Sequence, residues 1–196
     1  IQLISSLGDT LYELNSDGKL IPELASGMPI ISKDRLQITI NLRKNVFFHD
    51  GTSFNSNAIK FTFDRFKRIG TMNYILGNKI KSIETPSEYS VIINLNKPSS
   101  SINGLLTSVN LTPISPTFYQ EYSDKFLNEK FVGTGKYVLS SFSNEVQSID
   151  PNLNYWGEKP LNEGIDFVGY SNSSSLFGAL KSKQIDVLLS NSIDDS

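Results

Sequence analysis

The chain contains no cysteine. Disulfides, thiolate metal sites and cysteine nucleophiles are therefore excluded, although the compartment is not fixed by this. Histidine occurs once, as His49. A zinc site needs three or four good ligands, which one imidazole without thiolates does not supply. A Ser-His-Asp triad would have to be built on His49 alone. Charge of one sign is scarce too, with 18 basic and 20 acidic residues giving a formal net charge of -2. Nucleic-acid affinity rests on a basic stripe that neutralises phosphates. None is visible, so no nucleic-acid partner is expected. No apolar run approaches the ~20 residues that a transmembrane helix requires.

What is present is a globular composition. The chain has 196 residues, 38% of them apolar and 11% aromatic. A chain of this length buries roughly 70% of its unfolded surface, enough for a core.

Alternation marks the first strand. Leu36, Ile38, Ile40 and Leu42 fall on one face, with Gln37, Thr39 and Asn41 on the other, the period of a half-buried strand. A short second strand is expected at Val46-Phe47-Phe48, then a turn at His49-Asp50-Gly51-Thr52. Asn55 is a plausible cap for a helix whose apolar face is Ile59, Phe63 and Phe66; Lys67 and Arg68 suit its C-terminal end, and Gly70 is a natural stop. Segments 79–85 and 90–95 suggest a hairpin around Pro86-Ser87-Glu88. Ile102, Leu105, Leu106 and Val109 mark a short helix. Ser115-Pro116 opens another, with Phe118, Tyr119, Tyr122 and Phe126 on its apolar side.

Further strands are expected over 137–142, 145–150 and 165–170. Ser173 to Ser175 can cap a helix with the apolar face Leu176, Phe177 and Leu180, and 185–189 reads as a buried strand directly after it. That strand–helix–strand order indicates an α/β fold class.

Reactive constellations are few. Asp9, Glu13, Asp17, Glu23, Asp50 and Asp64 could provide paired carboxylates for glycoside hydrolysis, yet nothing in their spacing separates them from ordinary surface acids. An Asp/Glu hydrolase therefore stands as an alternative from a different class. Gly133-Thr134-Gly135 lacks the third glycine of a dinucleotide fingerprint, since position 138 is Val138. Trp156 is expected to pack in a core. For Tyr74 a ligand contact and a plain surface position are equally compatible with the sequence.

Four ordered blocks carry a family resemblance. The first is Leu11-Tyr12-Glu13 with Gly18-Lys19-Leu20-Ile21-Pro22-Glu23-Leu24-Ala25. The second runs over 40–54 and into the helix that ends near Arg68. The third is Val132-Gly133-Thr134-Gly135-Lys136-Tyr137. The fourth is Asn154-Tyr155-Trp156-Gly157-Glu158-Lys159-Pro160, followed by 179–187. Together they resemble the extracellular solute-binding proteins of peptide and nickel ABC importers.

The resemblance implies part of a two-lobed periplasmic-binding-protein type II fold. Residues 1–12 and 132–196 would belong to lobe one, and 13–131 to a small extra α+β domain. The rest of the protein is expected before Ile1 and after Ser196. It further implies solute capture, most often of an oligopeptide or dipeptide, outside the cytoplasmic membrane. No catalysis and no cofactor are implied. The expected partners are a small peptide or similar solute and the permease subunits, with membrane association through the permease or a lipid anchor outside this chain.

Implied ligand-binding positions are Tyr74, Asn110, Leu111, Gly133, Thr134 and Gly135. Nickel-chelate binders of the family place an arginine near 110–111, and neither Asn110 nor Leu111 is one. A nickel-chelate or other small-solute binder remains the alternative within the family. Two departures from the family pattern are expected to be structural. Ser26-Gly27-Met28 replaces an acidic-Ser-Trp, and Lys136 replaces a proline.

Overall fold

The computed structural model describes residues 2–69, 78–99, 101–122 and 129–189. Gly70, Tyr74 and Phe126, and the side chain of Ile102, lie outside the described residues. Helix α1 spans Gln2–Leu7. The hairpin β1 (Tyr12–Leu14) and β2 (Leu20–Pro22) follows, paired antiparallel with Leu14 opposite Leu20.

The alternating segment forms β4 (Gln37–Asn41), with Ile38 and Ile40 fully buried. It is flanked by β3 (Ile30–Ile31) and, after helix α2 (Ser56–Ile69), by the hairpin β5 (Ile80–Ser87) and β6 (Ser90–Leu95). All pairs are antiparallel, in the order β3-β4-β6-β5. The in-register pairs Ile38–Ile93 and Ile40–Val91 put one apolar face inward. Against it α2 lays Ala58, Ile59, Thr62 and Phe63, all buried. Each fully buried large apolar side chain contributes about 1.5–3 kcal/mol, so this seam dominates the core. The Asn55 Oδ1 accepts from the Asn57 amide at 3.0 Å, which supplies the expected cap.

The expected strand at 46–48 does not form. Phe47 makes only an isolated bridge with Ser53. The chain reverses too tightly for a ladder: the Phe48 amide donates to Thr52, the Gly51 amide to Phe48, and Asn45 sits at φ 59°. Helix α3 (Ile102–Leu106) buries Leu105 and Leu106, and a 3-10 turn follows at Val109–Leu111. Helix α4 (Pro116–Glu121) is capped by Ser115, whose Oγ accepts from the Phe118 amide at 3.2 Å, with Pro116 in the first turn.

A separate three-stranded sheet has the order β7-β8-β9, formed by Tyr137–Phe142, Val146–Pro151 and Ile165–Val168. Helix α5 (Ser173–Lys181) follows, capped by Asn172 and not by a serine, with the Ser175 amide 2.8 Å from Asn172 Oδ1. It buries only Ala179, whereas Phe177 and Leu180 of the expected apolar face are exposed. Segment 185–189 is not a strand here. It hydrogen-bonds to no described strand, and Val187 is 72% exposed. A strand needs a ladder partner, and β9 pairs only with β8.

Candidate functional site

The two sheets are joined where three distant segments meet on one carboxylate. Asp9 follows α1 and is buried. Its Oδ2 accepts from Thr134 Oγ1 and from Trp156 Nε1, both at 2.8 Å, and its Oδ1 accepts from the Tyr155 hydroxyl at 3.0 Å. The Asp9 amide in turn donates to Thr134 Oγ1 at 3.3 Å. An indole N–H can only donate, so the donor set suits the ionised carboxylate. Burial raises the Asp9 carboxyl above its usual value, and the bonds from Trp156, Thr134 and Tyr155 oppose that rise.

A second acid adjoins it. Glu23 Oε2 accepts from the Thr10 amide at 2.7 Å and from Thr10 Oγ1 at 2.9 Å, which ties Glu23 to the residue that follows Asp9. Burial first, then the charges of Asp9 and Glu13, push the Glu23 carboxyl up to about 8. Arg43 completes the cluster. Its Nε donates to the Glu23 carbonyl at 2.9 Å, and its guanidinium lies 4.5 Å from the Trp156 ring centroid. That cation–π distance is well inside the ~6 Å limit for attraction. Lys136 stands over the Tyr155 ring at 5.9 Å.

The loop Gly133-Thr134-Gly135 is pressed onto the end of α1. A Cβ on Gly135 would lie 2.4 Å from the Leu7 carbonyl carbon, and one on Gly133 2.5 Å from the Leu7 oxygen. Only glycine permits that approach of backbone to backbone. The Gly135 amide donates to Leu7 at 3.1 Å. Thr134 is fully buried, and its hydroxyl is engaged by Asp9. The Gly135 carbonyl accepts from Asn152 Nδ2 at 2.9 Å and faces His49 Nε2 at 3.2 Å.

The residues of a triad are present but wired differently. Ser115 Oγ donates to Asp50 Oδ2 at 2.5 Å, and Thr52 Oγ1 donates to Asp50 Oδ1 at 2.6 Å. Ser115 is fully buried. His49, its basicity lowered mainly by burial, is directed at a backbone carbonyl and not at a hydroxyl. A general base must reach the nucleophile's proton, so the turn at His49 is scaffold. Among the described residues no group of three acidic or histidine side chains could hold a metal.

Beside the acid pair lies a cavity of about 440 Å³, lined by Ser5, Gly8, Thr10, Glu13, Glu23, Thr107 and Val109 among others. Of the turn Val109–Leu111, Val109 lines this cavity, whereas Asn110 is exposed and Leu111 packs on the core. The structure thus places 133–135 against the end of α1, while Tyr74 lies outside the described residues. Asp9 and Glu23 were indistinguishable from surface acids in the sequence. The usable signal was the Tyr155-Trp156 pair, whose two polar tips need a buried acceptor.

The model of the family "Bacterial extracellular solute-binding proteins, family 5 Middle" matches residues 19–196. The glutathione-binding protein GsiB of Salmonella choleraesuis is 32% identical over 149 residues, covering 74% of this chain and 29% of that protein. Among solved structures, AgaA of A. tumefaciens R10 in complex with agropinic acid has a TM-score of 0.84 at 26% identity, covering 93% of this chain and 38% of that one. DppA of Helicobacter pylori in complex with the peptide STSA has a TM-score of 0.79 at 26% identity, covering 92% and 40%. The chain therefore spans less than half the length of these relatives and adopts part of the type II periplasmic-binding-protein fold. Such proteins bind solutes and are not enzymes, which sets the hydrolase alternative aside. This chain belongs to the bacterial extracellular solute-binding proteins of family 5.

Proposed function

We propose that the chain is part of the substrate-binding component of an ABC importer. It captures a short peptide outside the cytoplasmic membrane and delivers it to the permease. The observation that carries this reading is the family match over 19–196 together with relatives named for glutathione and for a bound peptide. Capture needs no covalent chemistry. A ligand held between lobes is released or retained by hinge closure, and extended peptides can be held through main-chain hydrogen bonds that ignore side-chain identity.

In this reading residues 13–131 form a small extra domain, and 1–12 with 132–196 form part of lobe one. Tyr74, Asn110 and Leu111 are candidate ligand contacts. Gly133, Thr134 and Gly135 act on the site from behind, by fixing the end of α1 on which the cavity wall is built. That role is supported by the burial of all three and by the engaged hydroxyl of Thr134. The missing arginine at 110–111 speaks against a nickel chelate.

The test is thermal shift of the polypeptide at its natural length, screened with di- to pentapeptides, an opine and nickel chelates. A ligand at 100 times its Kd adds about 2.7 kcal/mol of stability. A clear rise with peptides supports the reading. A rise only with an opine or a chelate overturns the substrate class.

A further inference from the structure

We propose that the far end of the four-stranded sheet is a docking surface for an anionic lipid bilayer. The proposal rests on the reading that the protein works outside the cytoplasmic membrane, and it names the surface met there. It does not depend on which solute is captured. It begins with strand register. The Leu95 amide donates to the Leu36 carbonyl at 2.8 Å and the Asn96 amide to the Lys79 carbonyl at 2.9 Å, so β4 starts, β6 ends and β5 starts in one row. Lys33 and Arg35 lie on the β3–β4 turn just beyond that row. Lys97 follows β6, and Lys79 and Lys81 flank the first residue of β5.

Helix α2 adds to the same end. Its Ser56 amide and hydroxyl donate to the Glu88 and Ser87 carbonyls, at the opposite tip of the β5–β6 hairpin. A helix of 14 residues spans about 21 Å, and a strand of 6 residues about 20 Å. With α2 packed on β5 and β6, its last turn, which carries Lys67 and Arg68, reaches the row where β5 starts.

Seven of the chain's 18 basic residues are thus gathered at one end of one sheet, and all but the half-buried Lys79 are exposed. Opposing charge there is sparse. Asp34 shares the β3–β4 turn, and Glu84 Oε1 accepts from Asn94 on the sheet face at 2.7 Å. Asp64 is offset by Lys60, 2.7 Å away, and the sequence 70–77 that joins α2 to β5 holds no acid. The net charge of -2 conceals this pole because acids gather elsewhere: Asp150, Glu163, Asp166 and Asp186 line the groove beside β9. Such separation of charge orients a protein at a charged surface.

The make-up of the pole fits lipid head groups. Most of its cations are lysines, flexible point charges that suit a diffuse layer of phosphates, whereas paired recognition of carboxylates favours the arginine fork. Ile31 and Ile69, 44% and 45% exposed, flank the turn of Lys33 and follow Arg68, and offer apolar contact at the head-group boundary. The other end of β4 is taken by the joint, where the Arg43 guanidinium lies over Trp156. Docking through the far end leaves that joint uncovered.

The experiment is cosedimentation of the polypeptide at its natural length, made without lipidation, with vesicles of phosphatidylglycerol and phosphatidylcholine. Binding is expected at low salt with the mixed vesicles and not with phosphatidylcholine alone. It should fall steeply at about 0.5 M salt, where screening is short-ranged. Each cation at an anionic surface raises binding about fivefold. Lys33→Gln, Lys81→Gln and Lys97→Gln together should therefore weaken it roughly 100-fold. Lys159→Gln, Lys181→Gln and Lys183→Gln together, an equal loss of charge in the other unit, should leave it unchanged.

Equal binding to neutral vesicles or equal weakening by the two triple variants overturns the proposal. So does tighter binding to polyglutamate at equal charge, the mark of an acidic protein partner. Should the first triple variant fail to fold, its three single variants decide. Each is expected to bind about fivefold more weakly, and no change in any of them contradicts the proposal. Failure of peptide binding in the thermal-shift screen leaves these outcomes unaffected, since the vesicle assay contains no peptide.

Discussion

The four-stranded sheet with α2 and the three-stranded sheet with α5 both carry apolar residues on their strands and helix and have different fates. In the first, Ile38, Ile40, Ala58, Phe63, Val91 and Ile93 close over one another almost completely. In the second, only Ile149 and Ala179 are buried among the residues of its strands and helix, while Phe142, Val168, Phe177 and Leu180 face outward. The comparison teaches that an apolar stripe specifies an element but not what covers it. The first unit finds its partner within itself, since α2 lies across the sheet. In the second, α5 is connected to β9 but leaves a groove of about 890 Å³ between the sheet and residues 184–189.

Truncation should expose this difference most strongly. Phe63→Ala, in the enclosed unit, is expected to cost about 3–5 kcal/mol in chemical denaturation. Phe177→Ala, in the open one, should change stability by no more than about 0.5 kcal/mol. Equal losses at the two positions would break the distinction.

The joint between the units comes next. Gly135→Ala would force a Cβ to 2.4 Å from the Leu7 carbonyl carbon, and backbone cannot yield as a side-chain tip can. A loss of about 1–3 kcal/mol is expected in the same assay.

The pH dependence has a defined sign. Glu23 is raised from 4.5 to about 8 in the folded chain. Between those values the folded state binds more protons than the unfolded one, so stability falls as pH rises through that window. Glu23→Gln should remove the fall, giving a variant whose thermal midpoint declines less than wild type between pH 5 and 8. A variant that tracks wild type would show that the Glu23 carboxyl is not raised in the folded chain. Smaller still is the cap at α4, where Ser115→Gly, through loss of the bonds to Phe118 and Asp50, should cost about 1 kcal/mol. Least of all is the exposed Lys60–Asp64 pair at 2.7 Å, whose removal by Asp64→Asn should cost about 0.3–0.5 kcal/mol.

Legibility followed the same division. Strand β4, the hairpin β5–β6, the caps Asn55 and Ser115 and the buried face of α2 were readable, because local period and capping chemistry agree there with the tertiary partner. The segments 46–48 and 185–189 misled. Both are rich in β-forming residues, and propensity says nothing of whether a ladder partner is present. Asp9 was invisible for another reason. Its environment is made by donors 125, 146 and 147 residues away in sequence, and no local motif records that convergence. Gly133-Thr134-Gly135 stood out as a motif, but its reason is steric approach to α1, which only the fold reveals.

The most direct test of the account is native mass spectrometry of the polypeptide at its natural length, purified without added ligand. The account predicts a non-covalent adduct that is released on denaturation and has the mass and fragmentation of a short peptide. An adduct identified as a nickel chelate or an opine would contradict it.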